Sequence, residues 1–591
     1  MNRTSHSLAR RVLDSTARRR LCRSPSAAAS SSSILSPEAT PESIADLVLS
    51  SNFTSLSPLL PHLSPPLLSS TLLFLPPNHA LLLLKHIISS GAINPSCKTL
   101  FSSLLSAQVD PNLLLRACAE LGLPLKGLEV FCHMKGAALP PKIETCNCLL
   151  SSFLKAKLTE KAWVLYAEMF RMRIQSTVVT FNIMINVLCK EGKLKKARAF
   201  LQIMESSGVR PNVVSYNTII QGYCLKGRVA KGIEMLDVMG KKEIIPDSYT
   251  YTSLIAGMCK QGRVEDASLL FGEMLQKGLV PSAVIYNVLI DGYCNKGKLD
   301  VAYRYRDEMV ERGIEPTVST YNLLIHALFM EGRNLKAISL IKEMEGKGLV
   351  PDAITYNILI NGYSKEGNVK KAFDLFEEMA GKRIRPNMVT YTSLIYALCK
   401  KSRVSEADKM FEEVKEKGLS PDLVMYNALI DGHCNEGKMD RAFELLKEMD
   451  RKKVAPDEVT YNTLMRGLCL LGRVEEARGL INEMARRGIT PDRISYNTLI
   501  SGYSRRGDLK DAFKVRDEMM STGYDPTILT YNALIQGLCK NGGGVHAEEL
   551  LKEMVGKGIS PDDVTYISMI EGLSNVEDLM KNDNVCKTTT R

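Results

Sequence analysis

A single tryptophan, Trp163, occurs in the 591 residues, and aromatic side chains make up only 6% of them. One large core built on rings is thereby excluded. Long apolar runs are missing as well. The nearest stretch, 68–88, is broken by Pro76, Pro77, Asn78, His79 and Lys85. A membrane-spanning helix needs about 20 consecutive apolar residues, so none is expected. The eight histidines (His6, His62, His79, His86, His133, His326, His433, His546) share no common spacing, and no C-x2-C cysteine pair occurs. Without a phosphate loop, a nucleophile elbow or a metal-ligand cluster, the sequence predicts no catalysis, no metal and no cofactor. Charge of one sign is also scarce. Lys and Arg number 76 against 65 Asp and Glu, a net +11, and seven arginines against one acid in residues 1–37 supply +6 of it. What remains, 45% hydrophobic and 24% charged residues, is the composition of a folded soluble chain.

The cysteines that are present carry the organisation. Eight of the fifteen, from Cys189 to Cys539, are separated by 35, 70 or 105 residues. One small thiol per 35 residues marks a recurring buried slot, since free Cys packs as a small hydrophobe; a reducing compartment follows. Units beginning at 143 + 35n give twelve repeats over 143–562 without an insertion or deletion. Position 4 is Tyr in ten, position 20 Ala in eleven, position 27 Met in eleven and position 34 Pro in eleven. A fixed period of this length is the signature of a solenoid or array.

Each unit predicts two helices. In 318–352, Tyr321, Leu324, Ile325 and Leu328 form one apolar stripe, and Ala337, Leu340, Ile341 and Met344 form a second. Gly332 and Gly348 are placed to end the two helices, and Pro351 forbids continuation. Neither helix can bury its stripe alone, so the units must stack. The expected fold is all-α, a right-handed α-solenoid of helix-turn-helix repeats.

Units such as EVTYNTLMRGLCLLGRVEEARGLINEMARRGITPD (458–492) resemble the pentatricopeptide repeat, and the uniform length is similar to the pure class of that family. The resemblance covers 143–562. It implies a single-stranded RNA-binding protein of plant mitochondria or chloroplasts. The deaminase-like C-terminal extension of editing members is not expected, because 563–591 contain one cysteine and no histidine. Residues 38–142 read as a helical N-terminal cap. Within them 108–142 keep Gly122, Phe131 and Met134 in register as a degenerate repeat, and 563–591 read as a partial repeat and tail. Residues 1–37 are rich in Arg and Ser and nearly free of acids, the composition of an organellar transit peptide. The arginines favour the mitochondrion, with the chloroplast second; a basic nucleic-acid-binding tail is the alternative.

Position five is Asn147, Asn182, Asn217, Asn287, Asn322, Asn357, Asn427, Asn462, Asn497 and Asn532, with Thr252 and Thr392 in the two remaining units. Asn is a poor helix former, yet it recurs inside the first helix. A donor and an acceptor facing a groove would explain it; an Asn tying neighbouring repeats together is the alternative. Position 35 is Thr177, Asn212, Asp247, Ser282, Thr317, Asp352, Asn387, Asp422, Asp457, Asp492, Thr527 and Asp562. All are good N-caps for the next helix.

In the resembled family, positions five and 35 together face one base per repeat. Acceptor-only Asp suits the N3–H of uracil, and Asn, which can donate, suits cytosine N3. Thr with Asp goes with guanine in the family. Position two, aliphatic or aromatic at Val179, Val214, Tyr249, Val284, Ile354, Val389, Val424, Val459, Ile494 and Leu529, would sandwich the base; Glu144 and Ser319 depart from that pattern. Position thirteen is basic at Lys155, Lys190, Lys260, Lys365, Lys400, Arg505 and Lys540. These residues would track phosphates or merely complement the helix dipole.

Taken pairwise, the positions imply the pyrimidine-rich target Y-C-U-R-Y-U-C-G-U-U-Y-U, where Y is a pyrimidine and R a purine. The expected function is sequence-specific binding of single-stranded RNA by a monomer acting on stability, end processing, splicing or translation of organellar transcripts. Organellar RNA-processing proteins would be the recruited partners. The alternative is a protein-docking scaffold.

Overall fold

The computed structural model describes residues 40–50, 65–90, 97–106 and 108–571. The stretch read as a transit peptide and most of the C-terminal tail lie outside them. All regular structure among the described residues is helical, and the repeats build an α-solenoid. The described chain divides into two compact units, one up to residue 226 with 241–244, the other 227–240 with 245 onward.

Each repeat is two 13–14-residue helices, A and B. In repeat 6 they are Val318–Met330 and Asn334–Gly346. Helix A starts where the position-35 side chain caps it. Asp352, for example, accepts the backbone N–H of Thr355 at 2.9 Å and closes a capping box with that residue. It ends two residues before a left-handed turn, taken by Gly332 at φ +70°. Six left-handed turns in the full repeats are made without glycine, at Lys157 and Ser402 after A helices and at Arg173, Glu243, Arg383 and Lys453 after B helices, with φ between +56° and +60°. At those positions glycine is not what breaks the helix; the hydrogen-bonded turn itself carries the conformation.

Within each compact unit, the A helices of consecutive repeats pack side by side, and each B helix packs on its own A helix. The rings at position 4 are fully buried, and so are the alanines and methionines of helix B, such as Ala337 and Met344. In seven repeats the Tyr hydroxyl at position 4 reaches the Glu at position 26 of its own repeat, at 2.9 Å from Tyr321 to Glu343 and 2.8 Å from Tyr356 to Glu378. That Glu also pairs with the Lys or Arg four residues on, as Lys347 and Lys557 do.

Before the first full repeat come the helices Pro41–Leu49, Pro65–Phe74, Pro77–Ser90, Cys97–Ser106, Asn112–Glu120 and Pro124–Gly136. Pro76 and Pro77 separate the second from the third, because a proline ring cannot continue the preceding helix.

Candidate nucleic-acid interface

The side chain at position 35 begins helix A of the following repeat, so it sits at that helix's N-terminus, beside position five of its own repeat. The amide nitrogen of Asn427 donates to Asp457 at 3.2 Å, that of Asn462 to Asp492 at 3.1 Å and that of Asn532 to Asp562 at 3.0 Å. The same pairing joins Asn147 to Thr177, Asn182 to Asn212, Asn322 to Asp352 and Asn357 to Asn387, at 3.2–3.4 Å. In these seven repeats the residues expected to act as a pair therefore touch.

The asparagine is also a tie between repeats. Its carbonyl oxygen accepts from the Ser or Thr hydroxyl at position 3 of the next repeat, in ten pairs at 2.6–2.9 Å. The acceptor is thus turned away from solvent, and the amide does not present both a donor and an acceptor to the groove. The position-3 hydroxyls went unremarked in the sequence, although the same period displays them. So did Asn112, which stands one repeat before Asn147 and accepts from Thr145 at 2.9 Å and from the backbone N–H of Lys142 at 2.8 Å.

Position two carries exposed apolar side chains at one edge of helix A. All ten aliphatic or aromatic residues there, from Val179 to Leu529, are 51–65% exposed. A single exposed valine needs no explanation, but the same apolar position left open in ten repeats is a patterned surface. Position thirteen is the last turn of helix A, and all seven basic residues there are exposed. None of the seven forms an ion pair among the described residues, whereas seven of the nine cations at position 30 pair with the position-26 glutamates.

These positions converge. A pocket of about 520 Å³ is lined by Val389, Thr392 and Asp422 of repeat 8, Val424 and Asn427 of repeat 9, and Lys365 of repeat 7. In the other compact unit a pocket of about 710 Å³ is lined by Glu144, Asn147, Lys155 and Val179. The electrostatics suit a donor-rich ligand at the Asp sites. Burial pushes the Asp352 and Asp492 carboxyls up, but hydrogen bonds from the capped backbone, from Thr355 or Ser495 and from Asn322 or Asn462 outweigh it, holding both below the ordinary value. These groups accept and do not donate near neutral pH.

Among the described residues no group of three or more His, Cys, Asp or Glu is placed to hold a metal, and no helix is long and apolar enough to cross a membrane. All the repeat cysteines but the half-buried Cys294 are buried, and burial pushes thiols such as Cys189 and Cys399 up to about 12.

A solved structure of the maize pentatricopeptide repeat protein PPR10 has the same fold: 23% identity, 93% of this chain and 88% of that one covered, TM-score 0.57. The same maize protein solved in complex with an 18-nt psaJ RNA element aligns at 22% identity over 92% of this chain and 97% of that one, with TM-score 0.49. A mitochondrial pentatricopeptide repeat-containing protein of Arabidopsis thaliana is 48% identical over 104 residues. That match spans 16% of each chain, so this chain covers only a small part of its relative. Overlapping matches to the PPR repeat family together span 141–260 and 281–575, and single PPR repeats match 111–137 and 249–279. The chain belongs to the PPR repeat family.

Proposed function

We propose that the protein binds single-stranded RNA in a sequence-specific way, one base per repeat, and acts after transcription on organellar RNA without catalysing a reaction itself. One observation carries this reading: the pocket at repeat 8 gathers two apolar side chains, a polar pair and a cation around one opening. A nucleotide has an apolar face, a polar edge and a phosphate, which are the three things such a pocket meets. Val389 and Val424 sandwich the base, Thr392 and Asp422 read its edge, and Lys365 neutralises the backbone.

Asp at position 35 accepts from uracil N3–H, and Asn there donates to cytosine N3. The target follows as pyrimidine-rich, with guanine at the eighth nucleotide. The protein acts as a monomer in the mitochondrion, delivered by residues 1–37, and recruits RNA-processing proteins. Crosslinking the protein to RNA in isolated mitochondria, followed by sequencing, tests this. Enrichment of sites resembling Y-C-U-R-Y-U-C-G-U-U-Y-U is the expected result; protein partners without RNA would favour a docking scaffold.

A further inference from the structure

We infer that base reading in this protein is a three-residue device reaching into the next repeat, in which the residue at position 3 positions the asparagine of the repeat before it. The proposal deepens the RNA-binding reading above and rests on it.

The first observation is a correlation inside the chain. Each of the eleven asparagines in this register, Asn112 included, has Ser or Thr at position 3 of the repeat that follows it. For the two threonines, Thr252 and Thr392, that following position is Ile285 and Met425. Ile285, Met425 and the hydroxyl residues Thr355 and Thr460 are all fully buried. They occupy one slot that RNA does not reach, so contact with a base cannot explain the switch.

The geometry explains it. Thr355 accepts the backbone N–H of Asp352 at 3.2 Å. Its one proton has two acceptors in range, Asn322 Oδ1 at 2.8 Å and Asp352 Oδ1 at 3.0 Å, and the shorter contact is to Asn322. Asn322 in turn donates to Asp352 Oδ1 at 3.3 Å. Turning the amide over would set its oxygen against the carboxylate oxygen, which repels. The hydroxyl and the carboxylate together hold the amide one way round. Its oxygen is consumed and one N–H remains for the groove. A fixed donor suits the O2 carbonyl that uracil and cytosine share, so this orientation selects pyrimidines as a class while position 35 chooses between them.

A threonine at position five has no carbonyl to satisfy. Thr252 bonds back to the Ser248 carbonyl at 2.6 Å, and Thr392 Oγ1 has no partner among the described residues. An apolar residue then fills the slot beyond. Met425 and Ile285 are accordingly part of the purine sites, and Thr460 is part of the uracil site of Asn427 and Asp457.

The test uses the full chain and 12-mers that differ only at the eighth or ninth nucleotide. Wild type should prefer G to U at the eighth. Thr392→Asn alone should lose that preference without gaining one for U, because its carbonyl faces Met425. Thr392→Asn with Met425→Thr should prefer U by about tenfold, the size of one good base contact. At the ninth nucleotide, Thr460→Val should flatten the preference for U while leaving the eighth unchanged, and Thr460→Ser should retain it. A packing role alone would weaken every RNA equally. If Thr392→Asn gains the full U preference without Met425→Thr, position 3 plays no part and the inference is overturned. If wild type does not distinguish G from U at the eighth nucleotide, it is the RNA-reading proposal that fails.

Discussion

Cys399 occupies the space that a side chain on Gly432 would need: a Cβ built there would lie 2.6 Å from its sulfur. The same contact joins Cys189 to Gly222. The cysteine period and the glycine at position 10 are therefore two halves of one close approach between consecutive A helices. Gly432→Ala should destabilise the fold by up to about 2 kcal/mol, overpacking of about 1–3 kcal/mol outweighing the gain of about 1 kcal/mol in helix propensity. Gly479, inside a B helix with nothing within 4 Å of its Cβ position, should show the opposite sign on substitution by Ala. Thermal melts of the two variants check the contrast.

Burial also governs thiol chemistry. Cys132 is exposed, while Cys189, Cys399 and Cys434 are buried with their thiols pushed up to about 12. Iodoacetamide at pH 8 should alkylate Cys132 in the native protein and reach those three only on unfolding. Peptide mapping of the label reads this directly; equal labelling of Cys399 and Cys132 in the native state would contradict the packing.

Acid should loosen the repeat joints. The Asp352 and Asp492 carboxyls lie below their ordinary value of 3.8 in the folded chain. A group depressed on folding stabilises at pH above its unfolded value and loses that contribution as pH falls through its folded value. Stability should be flat from neutral pH down to about 5 as far as these two groups are concerned, and decline below about 4. Asp352→Asn should blunt the acid decline while keeping the N-cap. Urea midpoints against pH distinguish the two behaviours.

Two lysines in different settings should differ in their effect on salt dependence. Lys365 lines the pocket of repeat 8 and has no ion pair among the described residues, while Lys347 is held by Glu343 at 3.2 Å. Lys365→Ala should make the slope of log affinity against log salt shallower by about 0.7, the value for one phosphate on a single strand. Lys347→Ala should leave it unchanged. Identical slopes for both variants and wild type would mean that Lys365 only complements the helix dipole.

Left-handed turns made without glycine are sites for stabilisation. Glu243 and Lys453 hold φ of +58° and +59°, a conformation that costs a side-chain-bearing residue about 1–2 kcal/mol. Glycine removes that cost and loses about 0.5–1 kcal/mol to its greater freedom when unfolded. Each substitution to Gly should raise stability by up to about 1 kcal/mol, measurable as a shift in melting temperature.

Helices A and B were legible from one repeat, because apolar spacing, Gly332 and Pro351 all report local structure. The pairing of Asn427 with Asp457 was legible too, since both recur at fixed positions and carry polar groups that packing does not require. The direction in which Asn427 points was not. It depends on Thr460, which belongs to the next repeat and contacts it only through stacking, and a residue's partner across a repeat leaves no mark in the residue itself. Asn112 was hidden for another reason: position 35 of its repeat is Lys142, which masks the pairing that would have drawn attention to it. The turns at Arg173 and Lys453 show that a glycine rule describes most repeat ends and not the force that makes them.

The hydrogen bond from Thr355 to Asn322 also bears on how such a chain grows by duplication or exchange of whole repeats. A segment cut at position 1 carries its own Asn but mates it with a foreign position 3, so both seams risk a mismatch such as Asn against Met. Cut at the position-4 tyrosine, the transplanted segment carries position 5, position 35 and the following position 3 together. Tyr321 to Thr355, and not Val318 to Asp352, is then the heritable module. Recombination joints that survive selection should cluster between positions 3 and 4, just ahead of the tyrosine.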